Sequence, residues 1–201
     1  AGAVVPALGD LRVRQALNHA IDGQAIVDNI YGGKGLQSQQ IFNPDGPAFV
    51  KDLNQAYPYD PELAKELLAE AGYPDGFEIT MPEIKGDLTQ PYITQPLADI
   101  GVTVTWDKVA SENVVGDILG GKYAIISFGS SSGHPWRDIF KMVSENGAWN
   151  PLHSTTPELN ELFAAVQNTS GDEQVAAYQA VNEYITENAW FGVWLFTSAI
   201  Q

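Results

Sequence analysis

Apolar positions along this chain switch repeatedly between two periods. Val13, Ala16, Leu17, Ala20 and Ile21 recur at helical spacing, with Asp10 placed to cap the first turn. Asp22 opens a second stretch carrying Ala25, Ile26 and Ile30, closed by Gly32 and Gly33. Residues 34–56 lose the pattern, are rich in Gly, Pro, Asn and Gln, and are predicted to form a long ordered loop. At residues 57–82 the pattern is sharpest. Asp60 and Pro61 start a helix with Leu63, Ala64, Leu67, Leu68 and Ala71 on one face. Gly72 and Pro74 stop it, and Phe77, Ile79 and Met81 then alternate with Glu78 and Thr80 as in a strand.

The alternation continues. Residues 88–100 predict a helix in which Pro96 should cause a kink or an early end. Val102, Val104 and Trp106 alternate as a second strand. Ser111 is placed to cap a short helix with Val114, Val115, Ile118 and Leu119. Residues 123–128, YAIISF, are almost continuously apolar, as a buried central strand would be. A helix near 138–143, one from Thr156 and Pro157 through Val166, and one over 172–188 carrying Val175, Tyr178, Val181 and Ile185 follow. Residues 190–196, WFGVWLF, predict a last buried strand. Helices alternating with strands argue for an α/β sandwich with parallel strands.

Composition narrows the function. The chain has 201 residues, room for one domain or two small ones, and no apolar run long enough to span a bilayer. Its formal charge of −15 opposes binding to phosphate backbones or anionic membranes, so no nucleic-acid partner is expected. Cysteine is absent, which removes disulfides, thiolate metal sites and cysteine nucleophiles. His19, His134 and His153 lack metal-ligand spacing, and His19 reads as a packing residue on its helix. GGKG lacks the strand and helix of a phosphate loop, and SFGSS is not a nucleophile elbow. No cofactor and no catalytic constellation are expected.

Two strings carry a resemblance. YPYDPELAKELLAEAGYPDGFEITMP, residues 57–82, resembles a signature of the extracellular solute-binding proteins of ABC transporters, family 5, the dipeptide, oligopeptide and nickel binders. LRVRQALNHAIDGQAIVDNIYGGKG, residues 11–35, is similar to that family's entry into its second lobe, in the family's order and spacing. The resemblance covers residues 8–198. It implies a periplasmic binding protein-like (type II) α/β lobe, with a mixed, mostly parallel sheet flanked by helices. Residues 1–201 would be one lobe, with 1–9 a connecting segment, of chains more than double this length. An exported parent would carry a signal absent from this sequence. The expected function is binding of a peptide, sugar or similar small polar solute for an ABC importer by two-lobe closure, without enzymatic activity. A membrane permease would be the partner, and the chain itself would be monomeric. The expected location is the periplasmic or extracellular face, with a lipid anchor on the full-length protein. A small α/β hydrolase and a ligand-sensing lobe of a signalling receptor are the competing readings.

Ligands of open α/β sheets bind beyond the carboxyl ends of the strands. The loop GSSSGHPWR, 129–137, gathers hydroxyls, an imidazole and an indole at such an end. Candidate ligand contacts are therefore Phe128, Ser130, Ser131, Ser132, His134 and Trp136, although the serines could equally cap the next helix. By the resemblance, Ser131 stands where peptide binders carry an aspartate for the peptide's amino group, and Phe128 where they carry a cleft tryptophan. That departure disfavours a plain peptide and leans toward a sugar, glycoside or other neutral polar solute. Lys85 follows the signature strand where some dipeptide binders place an arginine, or is a solvated loop lysine. Trp149, Asn150 and His153 lie in a loop that approaches the cleft in relatives, and Trp149 could equally be core.

Overall fold

The computed structural model describes residues 2–129, 133–192 and 195–197. A 3-10 turn at Pro6–Gly9 buries Ala7 and Leu8 and leads into α1 (Leu11–Ala20). Asp10 accepts the Arg12 N–H, and Val13, Ala16 and Ala20 are buried. α2 (Gly23–Tyr31) is capped by Asp22 and ends at Gly32 in the left-handed conformation. α3 (Pro61–Glu70) has Asp60 accepting from Leu63 N–H and buries Ala64 and Leu68. These starts and stops fall where the cap residues place them.

β2 (Phe77–Pro82) and β3 (Val102–Asp107) pair in parallel, from Phe77 opposite Val102 to Pro82 opposite Asp107. A short strand, β1 (Leu36–Gln37), pairs antiparallel with β4 (Leu195–Phe196). Pairing is thus mixed, and among the described residues the parallel part is the β2–β3 ladder alone. The entry to this ladder is unusually tight. Gly76 has φ 75°, and a Cβ there would lie 1.8 Å from the Gly101 carbonyl oxygen. Only a residue without a side chain fits.

Between the two strands, α4 (Gln90–Asp99) runs through Pro96 instead of ending there. Ile93 and Leu97 keep their burial, and Trp106 donates to Thr94 Oγ1 at 2.9 Å across to β3. α5 (Ser111–Leu119) begins at Ser111 itself, with Ala110 at the cap position and no side-chain cap. Of its expected stripe only Ile118 is buried; Val115 and Leu119 are exposed. Among the described residues, 123–128 join no ladder: Tyr123 is buried and Ala124 to Phe128 are half-buried. Ala124 and Ile125 instead pack against the cluster formed around α1 and the β2–β3 ladder. Of the expected strand over 190–196, Leu195 and Phe196 form the half-buried β4 and Trp190 to Gly192 are not in a strand; Val193 and Trp194 lie outside the described residues.

α6 (Pro135–Met142) starts earlier than its apolar pattern, because Pro135 fits the first turn and His134 supplies the cap. α7 (Pro157–Asn168) is capped by Thr156, and α8 (Gly171–Glu187) buries Tyr178, Val181 and Ile185 with Ala177, Asn182 and Thr186. Two apolar clusters result. One gathers α1 to α4, β2 and β3; the other gathers residues 41–48 with α6, α7 and α8.

Polar groups join the two. The Tyr57 hydroxyl donates to the Thr186 carbonyl at 2.6 Å, and Arg14 Nε to the Asn188 carbonyl at 3.1 Å, satisfying the free carbonyls at the end of α8. Burial lowers the Arg14 pKa and raises that of Tyr57. The predicted loop over 34–56 is ordered by side-chain amides acting as backbone. Gln40, almost fully buried, donates to Val50 O and accepts from Val50 N–H, both at 2.9 Å. It also accepts from Asn182 Nδ2 at 2.6 Å. Gln39 exchanges the same pair of bonds with Tyr57.

Candidate functional site

Because β2 and β3 are parallel, their carboxyl ends at Pro82 and Asp107 lie on one edge. The loop after β2 is held there by Glu83 N–H donating to Asp107 O at 2.9 Å. Lys85, further along that loop, is exposed and makes no ion pair among the described residues. An ion cluster marks the same edge. Lys122 Nζ reaches Asp107 Oδ2 at 3.0 Å and Asp117 Oδ2 at 2.8 Å, and the Tyr123 hydroxyl donates to Asp107 Oδ2 at 2.8 Å. The bond from Lys122, then that from Tyr123, holds the Asp107 carboxyl below its usual range. The carboxylates of Asp117 and Asp107 raise the Lys122 ammonium, and burial raises the Tyr123 phenol. These bonds fix the start of the 123–129 run.

The end of that run meets the loop after α6. The Phe128 and Trp149 rings stack with centroids 4.7 Å apart and planes 15° from parallel. Two sequence-predicted residues, distant in the chain, are therefore brought together. Trp149 is positioned by its N–H donating to Lys141 O at 2.9 Å. The turn before it needs Gly147, where a Cβ would lie 2.6 Å from the Lys141 carbonyl oxygen. Asn150 is a brace. Its amide donates to Ser144 O at 3.0 Å and Ser154 O at 2.8 Å and accepts from Ser154 N–H at 3.0 Å. With both amide hydrogens used on the loop, it has no donor left for a solute. His153 caps the same loop, its Nδ1 2.9 Å from Glu145 O. His19 is the packing residue its stripe implied, buried with Nδ1 2.7 Å from Pro58 O and edge-on to Tyr57.

Ser130, Ser131 and Ser132 lie outside the described residues. Downstream, the Gly133 N–H donates to the buried Asp138 carboxylate at 3.0 Å, anchoring the loop on the first turn of α6. His134 Nδ1 accepts the Trp136 N–H at 3.2 Å as helix cap. His134 and Trp136 do not join the Phe128–Trp149 stack. They line an open groove of about 370 Å³ with Val166, Gln167, Gln174 and Tyr178. The α7 and α8 residues of that groove were not among the sequence candidates. Tyr178 fits the buried stripe of α8, and helical spacing alone does not reveal that it also lines a groove. A second hollow, lined by Leu36, Phe49, Lys51, Asp52, Asn54 and Gln55, contains none of the predicted residues. Among the described residues no group of three His, Asp or Glu could hold a metal ion, and no helix is long and apolar enough to cross a membrane.

Comparison with known proteins sets this geometry in context. The sequence profile of bacterial extracellular solute-binding proteins, family 5 (middle), matches residues 4–149. Heme-binding protein A of Haemophilus influenzae is 31% identical over 92% of this chain and 36% of its own length. The glutathione-binding protein GsiB of Salmonella paratyphi A is 28% identical over 89% of this chain and 38% of its own. Among solved structures, HbpA2 of Haemophilus parasuis superposes with a TM-score of 0.81 at 28% identity, covering 96% of this chain and 39% of that one. A dipeptide-binding protein of a Pseudoalteromonas species, solved with Met-Leu, gives 0.77 at 26% over 94% and 39%. The chain thus spans well under half the length of each of these relatives.

Proposed function

The chain belongs to the bacterial extracellular solute-binding proteins, family 5, and on that premise we propose that it is one lobe of the substrate-binding component of an ABC importer. The observation that supports this reading most is the asymmetry of the matches. Relatives align across about nine-tenths of this chain yet extend far beyond it. In the whole protein a second lobe would face the loops after β2, β3 and Phe128. A small polar solute would be enclosed between the lobes by hinge closure, and a membrane permease would recognise the closed form. The lobe binds its solute without transforming it. The parent sits on the periplasmic or extracellular face, held by a lipid anchor, and the chain is monomeric.

The site residues then divide by role. The Phe128–Trp149 stack offers an aromatic surface at the mouth of the loop. Lys85 would offer an ammonium from the loop after β2, and Ser130, Ser131 and Ser132 would offer hydroxyls. Asn150 acts behind them by holding the Trp149 turn. The relatives are named for heme, glutathione and dipeptides, three unlike solutes, so these loop side chains and not the scaffold set the ligand.

Native mass spectrometry of the two-lobe parent tests this reading. The expected result is one small solute retained non-covalently and released intact on denaturation, with Phe128→Ala and Trp149→Ala each lowering the retained fraction severalfold. Turnover of added ester or glycoside substrates by the parent would contradict it.

A further inference from the structure

The groove between the start of α6 and the α7–α8 hairpin has unused hydrogen-bonding capacity and no formal charge. Its lining, His134, Trp136, Val166, Gln167, Gln174 and Tyr178, contains no acid, lysine or arginine, in a chain of net charge −15. His134 caps α6 by accepting through Nδ1, so its neutral ring carries the proton on Nε2, which is left as a donor. Gln174 donates both amide hydrogens across the α7–α8 turn, to Val166 O at 2.9 Å and Thr169 O at 3.1 Å. Its Oε1 therefore remains an acceptor with no protein donor among the described residues. The Tyr178 hydroxyl and the Trp136 indole N–H also have no protein hydrogen bond among the described residues, and no side-chain polar atom there is both buried and unsatisfied. Both groups are therefore open to solvent or to a solute. Burial keeps the Tyr178 phenol neutral by raising its pKa. The His134 ring stands edge-on to the Tyr178 ring at 6.4 Å, so the polar groups are set among aromatic surfaces.

We propose that this groove is a subsite for a neutral, hydroxyl-rich ring, a saccharide or glycoside unit of the solute; the inference rests on the solute-receptor reading above. Sugar hydroxyls both donate and accept, matching the donors on His134 and Trp136, the acceptor on Gln174 and the dual capacity of Tyr178. The apolar face of a sugar ring can lie against the aromatic rings. A zwitterionic peptide end would meet no opposite charge in this lining. The volume, about 370 Å³, falls at the small end of the range of roughly 300–1,000 Å³ typical of ligand sites.

The test is a ¹H–¹⁵N NMR titration of the 201-residue chain with maltose, cellobiose and the dipeptide Ala-Ala. Indole signals are assigned with Trp136→Phe and Trp149→Phe. The expected result is that a disaccharide shifts the Trp136 indole and the Gln167 and Gln174 side-chain amides, while Ala-Ala does not. Tyr178→Phe and Gln167→Ala should each weaken that binding at least threefold without lowering Tm. The subsite is wrong if neither disaccharide shifts those signals up to roughly 100 mM, if Ala-Ala shifts them equally, or if both variants bind as the parent chain does. Disaccharide shifts confined to the Trp149 indole would refute the subsite and leave the receptor reading standing. Silence of every aromatic signal with all three probes would refute the subsite and leave the receptor reading to the test on the two-lobe parent.

Discussion

Single residues hold this structure at its joints. Asp10 caps α1 and also receives Arg12 through Nε at 3.0 Å and Nη2 at 2.6 Å. Chiefly through that side-chain bond, the Asp10 carboxyl is held down at about 2, from an ordinary 3.8. A depressed folded value means that the interaction is fully present above pH 3.8 and is lost as pH falls through 2. A carboxyl-carbon NMR titration should show the Asp10 midpoint near 2, returning toward the ordinary value in Arg12→Gln; a midpoint near 4 in the unmodified chain would contradict the pairing. Tyr57 acts at the other joint. Tyr57→Phe leaves the Thr186 carbonyl without its 2.6 Å donor and should cost about 1–2 kcal/mol in chemical denaturation. No loss would show that water replaces the hydroxyl.

At the scale of elements, what the sequence announced was capping. Asp10, Asp22, Asp60 and Thr156 each accept the backbone N–H that their position implies, because an N-cap is a local interaction. What it hid depends on partners far along the chain. Residues 123–128 have the composition of a buried strand, yet among the described residues no strand pairs with them, and composition carries no record of pairing. Pro96 breaks the local rule for helices, but Ile93 and Leu97 bury against the first cluster and outweigh one lost hydrogen bond. The loop over 34–56 lacks periodicity because its order comes from Gln39, Gln40, Asn54 and Asn182, which are the residues that ordinarily signal a loop. Two tests belong at this scale. Gly76→Ala should destabilise the chain by at least about 2 kcal/mol, through positive φ and collision with Gly101. Gln40→Leu, which removes the acceptor of the Val50 N–H and one of the two acceptors of the buried Asn182 amide, should cost about 2 kcal/mol and open residues 38–54 to fast amide exchange. Unchanged exchange there would mean that the amide network does not order the loop.

At the scale of the molecule, the candidate site was legible in part. The Phe128 and Trp149 stack joins two residues that the sequence could only nominate separately. His134 and Trp136 instead face a groove completed by α7 and α8, which only the tertiary packing brings near. The loops after β2 and β3 share one edge of a parallel strand pair, tied there by the Glu83 and Lys122 contacts to Asp107. On the proposed reading as one lobe, this chain would provide contacts from one side, and closure by an opposite lobe would provide the exclusion of water and the remaining contacts that make binding tight. Titration calorimetry of this chain beside its two-lobe parent, with the solute released from the parent, therefore tests the central claim. The account requires micromolar or tighter binding by the parent and at least a hundredfold weaker binding by the 201-residue chain. Equal affinity in the two would contradict it.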